Sequence, residues 1–536
     1  MSTSNLLDFI ERGIRVFGSS EFAIGRYQPG LHDRLVEYEP PEHAEEIERY
    51  WTDPPFAFVV VYYDTEEDTE KYHTVEPSLT DFESELLDRL RDDVRDQLVF
   101  GRADSGGDSE SVLRQEMQTV LDQYGIQLEV ESFYKIFYYL HREFIGYGLL
   151  DPLMDDPHIE DISCDGYDKP IFIYHDEYGD IKTNIVIGKA ELDDMVIRLA
   201  QMSDKELSVG EPITNATLPD GSRGELVYGE EVSAHGSAFT IRRYEETAMT
   251  PVDLINYGTF SLEQMTYFWL AIENNMNLIF AGGTASGKTT SLNAVSMFIP
   301  KSSKVITIED TREISLANEN WLASVTREGE SEETSVGMYT LLRSALRHRP
   351  EYMIVGEVRG KEALTLFQAM NTGHTTYSTM HADSIQTVIN RLENDPINVP
   401  RAMIQSLDIL SVQRQARVDG KRVRRSKRIV EIAGIDQQTN DLNYSELYEW
   451  DIATDTFNEA YTDSDVLDRI AETKGWSTRE LREEFQRRKR VLSHLVDLEV
   501  SNIERFTRII NQYRIDPDSV MEWIEESKQK SPQMAD

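Results

Sequence analysis

The first part of the chain contains both an apolar run typical of a strand and apolar positions typical of helices. Phe56–Tyr63 form a continuous apolar run after the Pro54–Pro55 pair, which predicts a buried strand. Gly101–Ser111 has the composition of a linker. Four segments carry apolar residues at helical spacing: Leu6, Ile10, Ile14 and Phe17; Leu87, Leu90, Val94 and Leu98; Leu113, Met117, Val120 and Tyr124; and Phe133–Leu140.

From Ile159 to Arg243 the pattern becomes β-like, with short apolar runs separated by Gly and Asp residues. Phe172–His175 and Ala238–Arg242 are predicted strands, and Leu192–Met202 is a predicted helix between them. This mixture predicts an α+β domain.

Residues 250–415 follow another order, in which short apolar strands alternate with helices. This order predicts a parallel sheet with helices on both faces. The predicted strands are Asn277–Ala281, Val305–Ile308 and Tyr352–Val355, and the predicted helices are Leu262–Asn274, a segment through Ala294–Phe298, Tyr339–Arg349 and Glu362–Thr372. The charged tail is predicted to be helical, with an apolar stripe of Leu481, Phe485, Leu492, Leu495 and Leu498.

These changes of pattern predict several domains, since 536 residues are too many for one ordinary core. We predict an N-terminal accessory region over residues 1–110 and an α+β N-terminal lobe over residues 111–245. A parallel α/β lobe is predicted over residues 250–455, followed by a charged helical C-terminal extension over residues 456–536.

The charge of the chain is strongly negative. It carries 97 acidic and 54 basic residues, a formal net charge of −43. Such a surface repels phosphate backbones, so general binding of nucleic acid is not expected. The acidic residues are spread along the chain rather than gathered in a tail. We therefore favour a device for solubility in a cytoplasm of very high salt, where ions screen dense surface charge.

Cysteine content and apolar run length indicate the compartment. Cys164 is the single cysteine, so an intrachain disulfide and a cysteine-rich zinc site are both excluded, and a reducing cytoplasm fits. The longest apolar runs, such as Ala57–Tyr63, are too short to span a bilayer. We predict a soluble cytoplasmic protein that can dock on a membrane protein.

A glycine-rich loop between a predicted strand and a predicted helix matches the phosphate-loop pattern G-x-x-x-x-G-K-T. Glycines let such a loop turn tightly and point backbone N–H groups at phosphate oxygens, and the helix adds its positive N-terminal end. Lys288 is expected to reach the β- and γ-phosphates of ATP, and the Thr289 hydroxyl is expected to hold Mg²⁺. The expected nucleotide-binding residues are Gly282, Gly283, Thr284, Ala285, Ser286, Gly287, Lys288, Thr289 and Thr290.

Two further strands end in acidic residues. Glu309 and Asp310 end the apolar strand of ITIEDTRE, and Glu357 ends that of YMIVGEVR. The carboxyl ends of parallel strands face the ligand crevice, where a carboxylate can orient water or organise Mg²⁺. Solvated acidic residues are abundant in this chain, and for Glu309 and Asp310 that interpretation remains open.

The segment TGHTTYSTMHA places His374 and His381 among small hydroxyl residues. Either histidine can hydrogen-bond a γ-phosphate or the acidic strand ends. A His–His metal pair is the alternative, but it lacks a nearby third ligand. A purely structural role stays open for both.

These four motifs, in this order, resemble those of the secretion ATPase superfamily, which serves type II and type IV secretion, type IV pili and the archaellum. The resemblance is carried by the phosphate loop GGTASGKTT, the Asp box ITIEDTRE, the Walker B strand MIVGEVRG and the His box TGHTTYSTMHA. Upstream, YGLLDPLMDDPHIEDISCDG, IYHDEYGDIKTN and LPDGSRGELVYG look like the archaeal pilus and archaellum branch, and the acidity suggests a halophile. The resemblance spans about residues 130–455.

The resemblance implies a RecA-like C-terminal lobe, an α+β N-terminal lobe and a homo-hexameric ring. It implies ATP and Mg²⁺ as ligands, with Lys288 and Thr289 on phosphate and Mg²⁺. Glu309 would polarise water, Glu357 would support Mg²⁺ partly through water, and His381 would sense the γ-phosphate. Arg223, Arg242 and Arg243 match N-terminal-lobe arginines that reach toward nucleotide, although solvated surface arginines remain the alternative.

Two positions depart from the family pattern. Gly356 stands where the Walker B strand usually has Asp, and Gly360 follows GEVR where Asp is common. The four-cysteine zinc element of many bacterial relatives is excluded by the cysteine count. The basic run Arg414–Arg428 could bind nucleic acid, anionic lipid or an acidic partner loop. The resemblance favours contact with a membrane platform or another subunit, and a solvated, charge-balancing surface is the alternative.

The resemblance also implies the biological setting. We expect an ATPase that acts at the cytoplasmic membrane through an integral membrane platform protein and assembles or secretes pilus-like subunits. The alternatives are an archaellum motor, a DNA-conjugation ATPase, and a nucleotide-gated scaffold that barely hydrolyses ATP. The long helical tail favours pilus assembly over the archaellum.

Overall fold

The computed structural model describes residues 35–100, 109–244, 248–327, 335–436, 441–459 and 464–530. The chain forms two compact units, Met1–Tyr244 and Glu245–Asp536. The predicted helix around Leu6–Phe17 and residues 101–108 of the predicted linker lie outside the described residues. The linker's last three residues begin a helix.

The described part of the first unit contains one nine-stranded sheet, in the order β1-β2-β3-β6-β5-β4-β9-β8-β7. Neighbouring strands are antiparallel except the parallel pair β3–β6. The strands are β1 Ala44–Asp53, β2 Ala57–Asp64, β3 Thr69–Val75, β4 Ile159–Cys164, β5 Pro170–His175, β6 Gly179–Val186, β7 Ile213–Thr217, β8 Arg223–Val227 and β9 Ala238–Arg242. The helices are α1 Asp81–Phe100, α2 Ser109–Tyr124, α3 Val130–Phe144, α4 Asp151–Met154 and α5 Lys189–Met202, with a 3-10 turn at Gly148–Leu150.

The apolar run of β2 is buried on both faces of this sheet. Val59 and Val61 join a cluster with the core of β4 and β5, whereas Phe58 and Val60 join a cluster with the helices α1 to α3. Side chains alternate between the two faces of a strand, so a strand covered on both faces has a continuous apolar sequence. Residue 110 is the predicted boundary between the accessory region and the N-terminal lobe. Strands from both sides of it share this one sheet.

In the described part of the second unit, strands form a sheet in the order β12-β11-β13-β14-β10-β15-β16-β17-β18. The first six strands in this order, from β12 to β15, run parallel to one another. The pairs β15–β16, β16–β17 and β17–β18 are antiparallel. The strands are β10 Leu278–Gly282, β11 Val305–Glu309, β12 Trp321–Val325, β13 Tyr352–Glu357, β14 Thr375–His381, β15 Ile409–Val418, β16 Lys421–Ile435, β17 Leu442–Asp451 and β18 Thr456–Glu459. The helices are α6 Pro251–Asn256, α7 Leu262–Glu273, α8 Lys288–Ser296, α9 Met338–Ala345, α10 Glu362–Asn371, α11 Ile385–Glu393, α12 Arg401–Ile404, α13 Asp465–Lys474, α14 Thr478–Asp497, α15 Ile503–Ile515 and α16 Pro517–Lys530, with a 3-10 turn at Leu346–His348.

Helices cover both faces of the parallel sheet, as the sequence predicts. Along β10, Leu278 and Phe280 enter a core shared with α7, α8 and the tail helices, and Ile279 and Ala281 enter a core shared with α9, α10 and α11. The predicted fold class, a RecA-like α/β lobe with an α+β lobe and a helical extension, is confirmed.

The helical tail belongs to the core of the second unit. Leu481, Leu492 and Leu495 of the predicted stripe are buried, whereas Leu498 caps the helix and is 39% exposed. Arg488, on the same helix, is buried and pairs with Glu273 on α7. None of the helices in the described ranges is long and apolar enough to cross a membrane.

Candidate functional site

The loop between β10 and α8 is held in a tight turn. Ala285 and Gly287 both have positive φ, 55° and 83°. A Cβ on Gly282 would collide with Ser286 Oγ and lie 2.7 Å from the carbonyl oxygen of Gln413. This position therefore accepts glycine alone without a shift of its neighbours.

Two side chains of this segment form hydrogen bonds to the backbone of the loop. Lys288 Nζ donates to the carbonyl oxygen of Gly283 at 2.6 Å, and Ser286 Oγ donates to the same oxygen at 2.9 Å. Helix α8 begins at Lys288, so its N-terminal N–H groups adjoin the loop. A lysine ammonium and helix N-terminal amides together form an anion-binding environment.

The strand register brings the four predicted motifs to one edge of the sheet. Gly282 at the end of β10 pairs with His381 at the end of β14. Glu357 at the end of β13 pairs with Thr379 on β14, and the adjacent β11 ends at Glu309. Because all four strands are parallel, their carboxyl ends lie together.

Glu309 is a buried carboxylate, and only one of its two oxygens has hydrogen-bond partners among the described residues. It is 2% exposed, and its Oε1 accepts hydrogen bonds from the backbone N–H groups of Glu313 and Ile314, each at 2.9 Å. Its Oε2 is buried and has no hydrogen-bond partner among the described residues. Burial raises the pKa of Glu309 to about 7, although both N–H donors oppose the rise. The neighbouring Asp310 is exposed and accepts from the Thr326 hydroxyl at 3.1 Å.

The geometry explains why glycine occupies position 356. A Cβ added to Gly356 would lie 3.3 Å from Glu309 Cγ, closer than ordinary packing allows. An aspartate there would crowd the Glu309 side chain and add a second negative charge beside a buried carboxylate. Glycine at the usual Asp position therefore leaves room for Glu309.

Glu357 has the opposite electrostatics. Burial is the largest single influence and disfavours its charged form, but the salt bridge from Arg359 Nη2 to Oε2 at 2.6 Å and the nearby positive charges together lower the pKa of Glu357. The charges of Lys288 and His381 act in the same direction. Two neighbouring strand ends thus hold one carboxyl group that titrates near neutral pH and one that stays charged.

The two histidines of the His box lie at opposite ends of β14. His381 is the exposed last residue of the strand, on the edge described above, whereas His374 precedes its first residue and contacts Thr372 Oγ1 at 3.2 Å. A seven-residue strand spans about 20 Å. This separation excludes a His374–His381 metal pair.

The predicted arginines lie in the first unit. Arg223 and Arg242 are direct neighbours in the β8–β9 register, and Arg242 Nε donates to Asp161 Oδ1 at 2.9 Å. The Arg243 guanidinium is half-buried and donates to the carbonyl oxygen of Ile159 at 3.4 Å. Burial lowers the pKa of Arg243, although nearby carboxylates including Asp156 oppose this.

The basic run forms the hairpin of β15 and β16, and several of its side chains are used within the unit. Arg425 forms two hydrogen bonds to Asp455, at 2.8 and 2.9 Å, and Arg428 pairs with Glu446 and Glu449. Arg424 Nε donates to the carbonyl oxygen of Ala285 in the glycine-rich loop at 3.0 Å. Sequence analysis misses this contact, since no local pattern connects residues 139 positions apart.

Known proteins resemble the chain over most of its length. The sequence profile of the family described as Type II/IV secretion system protein matches residues 191–497, and that described as PilB3-like, N-terminal, matches residues 4–78. The uncharacterized protein MJ0900 of Methanocaldococcus jannaschii is 37% identical over 72% of this chain and 70% of its own length. MJ1287 of the same organism is 44% identical over 49% of this chain and 97% of its own length.

Among solved structures, the VirB11 ATPase of the Brucella suis type IV secretion system, in complex with sulphate, is 24% identical. The match covers 51% of this chain and 90% of that one, with a TM-score of 0.27. The family profile covers more than half of the chain, and the archaeal relative aligns over more than two thirds of its own length. The chain is therefore a member of the type II/IV secretion system protein family.

Proposed function

We propose that the chain is an ATPase that hydrolyses ATP with Mg²⁺ at the edge of the second sheet. The observation that supports this is the register that gathers the phosphate-loop pattern, two acidic strand ends and His381 at the carboxyl ends of four parallel strands. Local sequence alone does not require these four motifs to lie together. Membership in the secretion family fits the same activity.

The side chains at this edge fit a magnesium nucleotide. Gly282–Thr290 offer N–H groups and the Lys288 ammonium for phosphate oxygens. The Thr289 hydroxyl and the Glu357 carboxylate, partly through water, are oxygen ligands of the kind Mg²⁺ prefers. When bound, Mg²⁺ would neutralise charge on the phosphates.

Glu309 is proposed to orient and deprotonate the attacking water. A general base works best when its pKa lies near the working pH, and burial raises the pKa of Glu309 to about 7. Its buried Oε2 has no partner among the described residues and is therefore able to accept a proton. His381, on the adjacent strand end, is proposed to hydrogen-bond the terminal phosphate.

Arg223, Arg242 and Arg243 are proposed to contribute positive charge to the transferring phosphoryl group. Arginine suits this role because its planar guanidinium stays charged and donates in pairs. In phosphoryl transfer such an arginine accelerates the reaction by about 10³–10⁵.

The first experiment measures phosphate release by the full chain in high salt. Lys288→Ala is expected to abolish turnover and weaken ATP binding, whereas Glu309→Gln is expected to keep binding and lose about 10²–10⁴ in kcat. Lys301→Ala is the matched control, since Lys301 is an exposed lysine of the same unit, ion-paired to Glu319. Hydrolysis by Lys288→Ala at the parent rate would refute the site.

We further propose that the chain works as a homo-hexamer at the cytoplasmic face of a membrane. There it would drive assembly of pilus-like subunits through an integral platform protein. The C-terminal helices pack into the core of the second unit, which supports a structural role for the C-terminal extension. Loss of surface filaments on gene deletion, restored by the parent but not by Lys288→Ala, is the expected result. Loss of swimming alone would indicate an archaellum motor, and DNA-stimulated turnover would indicate conjugation.

A further inference from the structure

A cluster of two histidines and one aspartate lies in the first unit, on residues that the proposed ATPase does not use. His158 precedes β4, His175 ends β5, and Asp176 follows it. His158 Nδ1 lies 3.1 Å from Asp176 Oδ2, and His175 Nδ1 lies 3.1 Å from Asp176 Oδ1. The three ligand atoms lie within 4.8 Å of one another. Backbone pairing of Ile159 with His175 holds the two strand ends together.

A second layer of buried groups fixes these ligands. Asp156 is fully buried, and its Oδ1 accepts the backbone N–H of His158 at 2.8 Å. Its Oδ2 accepts the hydroxyls of Tyr50 at 2.7 Å and Tyr72 at 2.6 Å. The Tyr50 hydroxyl also lies 3.1 Å from His175 Nε2. Partners of this kind, which orient the far nitrogen of a histidine, are characteristic of metal sites.

The hydrogen-bond directions determine the tautomer of His175. Because the Tyr50 hydroxyl gives its proton to Asp156, it accepts from His175, so Nε2 carries the proton. In the neutral ring Nδ1 is then unprotonated, and it accepts a hydrogen bond from the Glu177 backbone N–H at 3.2 Å. The Nδ1 lone pair therefore faces a carboxylate oxygen at 3.1 Å. Two acceptors at that distance repel each other unless they share a proton or a metal cation.

We propose that His158, His175 and Asp176 form a Zn²⁺ site with water in its open position. Two imidazoles and one carboxylate are donors that suit zinc, whereas Mg²⁺ and Ca²⁺ prefer oxygen ligands. Neighbouring ligands of tetrahedral zinc lie about 3.3 Å apart, close to the nitrogen–oxygen distances of this cluster. A bound ion would replace the hydrogen bond from Glu177 to Nδ1.

Binding also requires a movement of one ring. The imidazoles of His158 and His175 are stacked, with centroids 5.4 Å apart and planes at 17°. His158 must turn so that its lone pair converges with that of His175. Its side chain is 48% exposed, so it has the space to turn, whereas His175, at 2% exposed, is held in place. The ion would tie the beginning of β4 to the turn after β5.

The test titrates the full chain, expressed without a histidine tag and freed of metal, in high salt with excess Mg²⁺. We expect about one Zn²⁺ per chain, bound more tightly than about 1 μM against a chromophoric chelator. Co²⁺ as the probe is expected to give the visible bands of a tetrahedral nitrogen–oxygen site. Zinc is also expected to raise the thermal midpoint of the first unit.

Substitutions distinguish zinc binding at this site from zinc binding by other side chains of the chain. His158→Gln and Asp176→Asn replace half-exposed side chains and are expected to weaken zinc binding at least tenfold. Tyr50→Phe removes only the hydroxyl behind His175 and is expected to weaken binding about 10–100-fold. His235→Gln, at an exposed histidine of the same unit, is the control and should bind as the parent does. Absence of binding at micromolar zinc, or equal binding by His158→Gln and the parent, would show a proton-sharing ion pair instead.

Discussion

Replacing Glu309 by glutamine is expected to stabilise the nucleotide-free protein while removing its activity. Burial raises the pKa of Glu309 from 4.5 to about 7. The folded state therefore holds this proton more tightly than the unfolded chain does. The resulting destabilisation is absent below pH 4.5, grows between pH 4.5 and about 7, and is complete above that range.

The magnitude follows from the same values. At about 1.4 kcal/mol per pH unit, the charged carboxylate opposes folding by about 3 kcal/mol above pH 7. Glutamine keeps the acceptor for the N–H groups of Glu313 and Ile314. Its amide nitrogen takes the place of the Oε2 that lacks a partner among the described residues, which costs about 1 kcal/mol. The net effect is therefore a gain of about 2 kcal/mol at alkaline pH and a loss of about 1 kcal/mol in acid.

Denaturant unfolding followed by tryptophan fluorescence measures this gain. Five of the six tryptophans lie in the second unit, so the signal reports mainly on the unit that holds Glu309. Glu357→Gln is the matched control, because its salt bridge with Arg359 lowers the pKa of Glu357 and the charged form is favoured. That variant should therefore be less stable than the parent above pH 4.5, the ordinary pKa of the group, and this loss should fade as the pH falls through the folded-state pKa. If Glu309→Gln is no more stable than the parent above pH 7, or differs equally in acid and base, the electrostatic reasoning is refuted.

Two further substitutions test the packing around the site. Gly282→Ala would drive a Cβ into Ser286 Oγ and the carbonyl of Gln413, and is expected to lower the free energy of unfolding by about 1–3 kcal/mol and to abolish ATP binding, measured by denaturation and calorimetry. Arg488→Ala leaves Glu273 buried without its partner and is expected to cost about 3–5 kcal/mol in the same denaturation assay. An unfolding midpoint equal to that of the parent would contradict either expectation.

Local pattern predicted the elements around the site well. The phosphate loop lies between a strand and a helix as expected, because glycine spacing and the apolar period are properties of neighbouring residues. Strands β1 and β3 were not predicted. They carry polar residues at exposed positions, and only pairing with β2 and β6 gives them their conformation.

The chemistry of the individual acidic residues was not predictable in the same way. Glu309 and Glu357 are both strand-end glutamates, yet their pKa values move in opposite directions. One carboxylate is buried against backbone N–H groups, and the other pairs with Arg359. That difference depends on local burial and on which side chain happens to lie opposite, neither of which is encoded by the residue type.

The sequence by itself determined the parts: a glycine-rich loop with lysine and threonine, acidic strand ends, and an alternation of strand and helix. Only the tertiary structure determined that these parts lie together. Parallel register places Gly282 beside His381 and Glu309 beside the end of β13. Likewise, Tyr50 reaches Asp156 and His175 across more than 100 positions. The physical reason is that turn chemistry and apolar period act between near neighbours, whereas register and burial depend on the packing of the whole unit.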